Sequence, residues 1–188
     1  DTLNQAIGKV DGRTYRLGDS LPNLIPFPYA QGTRTASGVT FTVNADGTIN
    51  VNGTATADIS FSVILSNNGY KLSSGTYTLT GCPAGGGNAT YAISISHRQG
   101  DSMIQYAKDS GSGVAFTIPS EYENDNMAVG VVIKSGITVN DLVFSPMLVT
   151  GTNKPTKYRK FVNPEVFLTQ AEYDALPTKE PYVVYNTY

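Results

Sequence analysis

Apolar residues recur at every second position in three successive runs of this chain, a period that leaves little room for anything but β-structure. Val39, Phe41 and Val43 alternate with Thr40 and Thr42. After the turn Ala45-Asp46-Gly47, Ile49 and Val51 alternate with Asn50 and Asn52, and Ile59, Phe61, Val63 and Leu65 then interleave with Ser60, Ser62 and Ile64. A spacing of two puts one set of side chains on one face of a pleated strand, whereas a helix would scatter them around its axis. The first two runs read as a hairpin with one apolar face, and the third extends it to the turn Asn67-Asn68-Gly69.

Further strands are expected at Thr76 to Thr80, Tyr91 to His97, Met103 to Tyr106, Val114 to Ile118, Met127 to Ile133 and Leu142 to Val149. Turn clusters such as Pro83-Ala84-Gly85-Gly86-Gly87-Asn88 and Asp109-Ser110-Gly111-Ser112-Gly113 separate them. Many short strands with regularly spaced turn signals point to an all-β sandwich or barrel. Ahead of them, Pro22, Pro26 and Pro28 exclude a helix and a central strand, so 21–29 should lie extended along an edge, pinned by Leu24, Ile25 and Phe27. Residues 1–20, with the Asp11-Gly12 turn, read as a linker or small hairpin. The sandwich is expected over 21–158 and a small appendage over 159–188. In that appendage Thr169 and Glu172 have the spacing of a capping box, predicting a short helix that stops near Leu176-Pro177. Tyr182 to Tyr185 reads as a last strand with an exposed edge.

Charged residues make up 15% of the chain and the formal net charge is −2. With no run of like charges, the electrostatic footprint of nucleic-acid binding is missing. Cys82 is the single cysteine, so no intrachain disulfide and no thiolate zinc cluster can be built; it should pack as a small apolar residue. No apolar run approaches the length needed to cross a bilayer as a helix. The chain begins at Asp1, which suggests a piece of a longer polypeptide.

Catalysis finds little to work with. His97 is the one histidine, and at the end of an alternating strand it reads as a strand-end surface residue; no Gly-x-Ser-x-Gly elbow is present. Glu121, Glu123 and Asp125 read as a solvated loop, without the spacing of a calcium-binding EF-hand. Gly85-Gly86-Gly87 lacks the Lys-Ser or Lys-Thr of a P-loop. We therefore expect no enzyme, no cofactor and no metal. The constellation that could bind is aromatic and polar: Tyr91 and Tyr106 near His97, Arg98 and Gln105. Sugar rings stack on aromatic faces while their hydroxyls meet amides and guanidinium groups, so these five are glycan-binding candidates. The alternative is that tyrosines simply fill the core and the strand ends.

Two stretches carry a resemblance. Asn23-Leu24-Ile25-Pro26-Phe27-Pro28-Tyr29, with 38–56, Ser74-Gly75-Thr76-Tyr77-Thr78-Leu79-Thr80 and Phe144-Ser145-Pro146-Met147-Leu148, resembles a jelly-roll domain of minor structural proteins of bacteriophages and prophages. Those domains are similar in turn to carbohydrate-binding modules. Leu168-Thr169-Gln170-Ala171-Glu172-Tyr173-Asp174-Ala175-Leu176 and Tyr182 to Tyr185 resemble a small motif of phage tail and baseplate proteins. The resemblance implies a jelly-roll-like antiparallel sandwich and a structural or adhesion role in a virion tail, baseplate or fibre. Its partners would be other virion proteins or neighbouring domains and a host surface glycan, with a homotrimer as the expected assembly. The alternative is a carbohydrate-binding module recognising a cell-wall or surface glycan, in a virion or a bacterial extracellular protein.

Overall fold

The Thr and Asn residues between the apolar positions of the first runs keep one strand face compatible with water while the other is driven into a core. The computed structural model describes residues 21–123, 125–162, 165–176 and 184–188; the linker or hairpin expected over 1–20 lies outside them. The first two runs pair as β2 (Val39–Val43) and β3 (Ile49–Thr54), with Phe41 opposite Val51. A short β1 (Arg34–Ala36), not anticipated from the sequence, adds to the outer edge of β2. The third run is β4 (Ile59–Ile64), followed by β5 (Gly75–Thr80), β6 (Tyr91–Gln99), β7 (Ser102–Asp109), β8 (Val114–Ile118) and β9 (Met127–Ile133).

The single strand expected over Leu142 to Val149 is instead two, β10 (Thr138–Phe144) and β11 (Met147–Thr150), interrupted at Ser145-Pro146. Proline cannot donate to a ladder, which explains the break. It has an architectural use, because β10 pairs with β3 while β11 pairs with β5. The chain thereby joins the sheet β1-β2-β3-β10 to the sheet β11-β5-β8. Gly81 lies against the break: Ser145 donates its N–H to Gly81 O at 2.9 Å, and a Cβ at Gly81, where φ is +113°, would fall 1.8 Å from Ser145 O. Only glycine fits there.

The sheet β4-β9-β6-β7 forms the other layer. Val39, Phe41, Ile49 and Val51 from one layer and Phe61, Ile93, Ile95, Val131 and Ile133 from the other are fully buried in one cluster. Phe41 and Phe61 stack across the interface at 5.1 Å between ring centres. Removing such apolar area from water, at about 25 cal/mol per Å², is the main force holding the layers together.

The proline-rich leading segment runs extended along one edge, as the sequence indicated, with Ile25 buried. It crosses from one layer to the other: Leu24 donates its N–H to Leu148 O of β11 at 2.8 Å, and Ala30 donates to Val63 O of β4 at 3.0 Å. Asn23, 3% exposed, organises this edge. Its Nδ2 donates to Pro146 O and Arg159 O, both at 3.0 Å, and its Oδ1 accepts from Ile25 N–H at 3.0 Å and Leu148 N–H at 3.1 Å.

Beyond the sandwich, β12 (Glu165–Leu168) and β13 (Val184–Thr187) pair in parallel, with α1 (Gln170–Asp174) between them. The capping box forms as expected: Thr169 Oγ1 accepts from Glu172 N–H and the Glu172 carboxylate accepts from Thr169 N–H. The last strand, read at Tyr182 to Tyr185, is described from Val184, and Pro177 of the expected helix stop lies outside the described residues.

Replacing Asn23 with Ala leaves the buried N–H groups of Ile25 and Leu148 and the Pro146 carbonyl without their partner. We expect Asn23→Ala to destabilise the sandwich by about 3 kcal/mol in urea unfolding, since each unsatisfied buried polar group costs ~1–3 kcal/mol. Asn23→Asp, which keeps both acceptor contacts but loses the donors, should be similarly unstable; near-wild-type stability of either variant would show that Asn23 is dispensable.

Candidate functional site

The five residues read from the sequence as glycan candidates fall in three places. Tyr91 opens β6 and His97 lies six residues further along it, a separation of about 20 Å in an extended strand. Tyr91 packs edge-on against Phe144 at 5.7 Å and donates its hydroxyl to Ala84 O at 2.6 Å. Its ring thus closes the loop that carries Gly85 and Gly86. Arg98 and Gln105 are exposed; the Arg98 Nε donates to Gly100 O at 2.9 Å.

His97 and Tyr106 do meet, but not at the surface. The reading of His97 as a strand-end surface residue is corrected by its 1% exposure. Its ring lies 4.7 Å from that of Tyr106 and 4.6 Å from that of Tyr122, and Nδ1 is 2.7 Å from the Asp125 carboxylate. The loop after Pro119 was read as merely solvated, yet it folds over His97 through Tyr122 and Asp125. A bulge explains the aim of Tyr106. The β6–β7 register slips between Ile95 and Ser96, pairing Ile95 with Ala107 and Ser96 with Gln105. Tyr106 is the extra residue, turned toward the layer interface. It stacks on Phe116, which stacks on Tyr77, each pair at 6.0 Å. This aromatic row bridges β7 and β8, the outer strands of the two layers.

A polar depression lies elsewhere, on the outer face of β2, β3 and β10. This shallow depression of about 500 Å³ is lined by Thr40, Thr42, Asn50, Asn52 and Asp141 with Gly38 and Gly53. These residues are the polar half of the period-2 pattern. Several are already oriented: Asn52 Nδ2 donates to Asp141 Oδ1 at 2.8 Å, and Asn44 Nδ2 donates to Asn50 Oδ1 at 3.1 Å. Asp141 has φ +49° and sits where the β3–β10 register slips between Val139 and Leu142. Aspartate is one of the few non-glycine residues that adopt this conformation readily, and here it accompanies the bulge. The lining offers amide, hydroxyl and carboxylate groups with neither cation nor aromatic ring, a set suited to a neutral ligand rich in hydroxyl groups. The signal in the sequence was the identity of the polar positions: Thr and Asn stand where solvent-facing strands often carry Lys or Glu.

Among the described residues no group of three or more His, Cys, Asp or Glu side chains is placed to hold a metal ion. Cys82 is buried, and desolvation followed by the nearby Asp109 carboxylate pushes its thiol up to about 12. No described helix is long and apolar enough to cross a membrane.

In comparison with known proteins, residues 166–188 fit the family model of the phage tail tip domain. That segment holds α1 and β13 and most of β12, and the match links the chain to phage virion tails. No curated protein and no solved structure matches the chain.

Burial raises the Tyr106 phenol from 10.0 to about 12, with smaller contributions from Asp125, Tyr122 and Glu121. The folded protein therefore holds this proton where the unfolded chain has released it. Its stabilisation is fully present below pH 10 and is lost as pH rises from 10 toward 12. The stability difference between wild type and Tyr106→Phe, from urea unfolding across that window, should shift against the wild type as pH rises. A difference independent of pH would place this phenol in water.

Proposed function

We propose that this chain is a non-enzymatic structural and adhesion module of a phage or prophage tail, joined to other virion proteins and presenting its sandwich toward the host surface. The observation that carries this reading is the tail tip match at 166–188, which falls on a folded β-α-β unit. The jelly-roll part is supported by strand order. Along the chain, β3 to β11 cross between a layer ordered β3, β10–β11, β5, β8 and a layer ordered β4, β9, β6, β7 at every step except the β6–β7 hairpin, which stays in the second layer, an arrangement that eight-stranded jelly rolls adopt. The non-enzymatic part is supported by His97, whose ring is enclosed between two tyrosines and held to Asp125.

Antibodies raised against the sandwich should label virion tails in electron micrographs of the phage that encodes this chain. Label confined to capsids, or absent from particles altogether, would sink the proposal.

A second reading, glycan recognition, is favoured by the depression over β2, β3 and β10. A sugar there would be held by hydrogen bonds to Asn50, Asn52 and Asp141 without aromatic stacking. Calorimetry with neutral cell-wall oligosaccharides should give saturable binding that Asp141→Ala and Asn52→Ala weaken at least about tenfold, the effect of losing one hydrogen bond to a charged group. Tyr91→Ala and Tyr106→Ala test the aromatic candidates. If these weaken binding while the groove variants do not, the site is the one read from the tyrosines; if nothing binds, the module is a connector.

A further inference from the structure

We propose that Asn68 is a site of spontaneous deamidation, its side-chain amide lost to attack by the backbone nitrogen of Gly69. The chemistry needs no enzyme. The Gly69 nitrogen bonds to the Asn68 side-chain carbonyl carbon and gives up its proton, and the side-chain amide leaves as ammonia, closing a succinimide ring. Water then opens the ring at either carbonyl. One route leaves aspartate; the other leaves isoaspartate, in which the main chain runs through the former side-chain carbon. The reaction is favoured where the next residue has no Cβ to obstruct the ring, where its nitrogen is not engaged in a hydrogen bond, and where the backbone is free to turn.

Asparagine precedes glycine twice in this chain, at Asn52-Gly53 and Asn68-Gly69, and the fold holds the two differently. Asn52 lies in β3, where its Nδ2 donates to Asp141 Oδ1 at 2.8 Å and Gly53 is paired with Val39 of β2 on one side and Val139 of β10 on the other. A Cβ at Gly53 would fall 2.2 Å from Gly38 O, so the backbone there is packed as well as paired. Asn68 instead sits in the exposed turn between β4 and β5, its backbone N–H donating to Leu65 O at 3.1 Å. Among the described residues, neither its side-chain amide nor the Gly69 N–H has a hydrogen-bond partner. A Cβ at Gly69 would meet nothing within 4 Å. The exposed neighbour Asn67 is followed by Asn68, whose own Cβ obstructs the ring.

The turn leads directly into a structural anchor. Tyr70, 6% exposed, donates its hydroxyl to Leu24 O at 3.0 Å, and its carbonyl accepts from Met127 N–H at 2.8 Å. Isoaspartate at 68 adds an atom to the main chain two residues ahead of that anchor. Both products also place a carboxylate beside Pro26, Phe27 and Pro28, with which Asn68 lines a cleft. The modified chain therefore holds the leading segment less tightly. The chemistry does not depend on the tail reading; only its biological weight does, since a chain built into a released virion is not replaced by synthesis and accumulates the product with age.

The test follows the purified full chain in mildly alkaline buffer, with and without urea, by peptide mapping and mass spectrometry. In the folded chain the peptide carrying Asn68 should gain the mass difference between OH and NH2 and split into aspartate and isoaspartate forms. The peptide carrying Asn52 should react at least about tenfold more slowly, because its ladder must open first. In urea that difference should largely disappear. Reacted protein, separated by its extra negative charge, should unfold at a lower urea concentration, whereas Asn68→Ser should keep its midpoint through the same incubation. Equal rates at Asn52 and Asn68 in the folded chain, or no reaction at Asn68 where the unfolded chain reacts, overturns the site. An unchanged midpoint after reaction overturns the link to Tyr70.

Discussion

The fold depends on how one broken strand is held. β10 and β11 belong to the same run of chain, yet each completes a different partner strand, and the break between them at Ser145-Pro146 removes a ladder donor where the sheet needs continuity. Asn23 repairs the gap from outside the ladder. One amide side chain reaches the carbonyl at the break, the N–H groups of Ile25 in the leading segment and Leu148 in β11, and the carbonyl of Arg159 where the chain leaves the sandwich. A buried amide with both donors and its oxygen engaged is worth more than the sum of separate surface contacts, because each partner would otherwise be desolvated without compensation.

The same edge is reinforced further along. Lys160 donates to Ala45 O at 2.8 Å and lies 4.2 Å above the Phe27 ring, and Tyr158 donates to Asp46 O at 3.1 Å. Tyr29 donates to Gly47 O, and its burial, followed by the nearby Tyr158, holds its phenol well above the ordinary range. The chain before the sandwich and the chain after it thus converge on the turn between β2 and β3. At the opposite edge the row Tyr77, Phe116, Tyr106, His97 and Tyr122 closes the gap between β7 and β8. An open sandwich edge invites pairing with other chains; here one edge is covered by backbone hydrogen bonds and the other by aromatic packing.

The period of two was enough to place most sandwich strands, because burial on one face is a local property of each run. What the sequence did not reveal depends on pairs distant along the chain. The division of 142–149 could be suspected from Pro146, but only the different partners of β10 and β11 make it a boundary. His97 misled because a polar residue at a strand end usually faces water; the bulge at Tyr106 and the loop carrying Tyr122 and Asp125, which cover it, lie outside its own strand. The tyrosines suggested a platform; Tyr91 and Tyr106 are half-buried, packed on Phe144 and on His97 and Phe116 respectively. The groove was present in plain view as Thr40, Thr42, Asn50 and Asn52, but which of the two strand faces is concave is set by sheet twist and by the bulge at Asp141, neither of which a single run encodes.

The capping box is the opposite case. Thr169 and Glu172 are close in sequence, so the helix start was legible to the residue, yet a cap stabilises a helix by only about 1 kcal/mol and cannot supply the unit with a core. The chain therefore joins two parts that differ in how much of their apolar surface they bury. The sandwich buries its own apolar faces and can fold as a monomer. The β-α-β unit has local signals that specify its shape and exposed apolar groups that do not stabilise it, and its order must come from what it packs against.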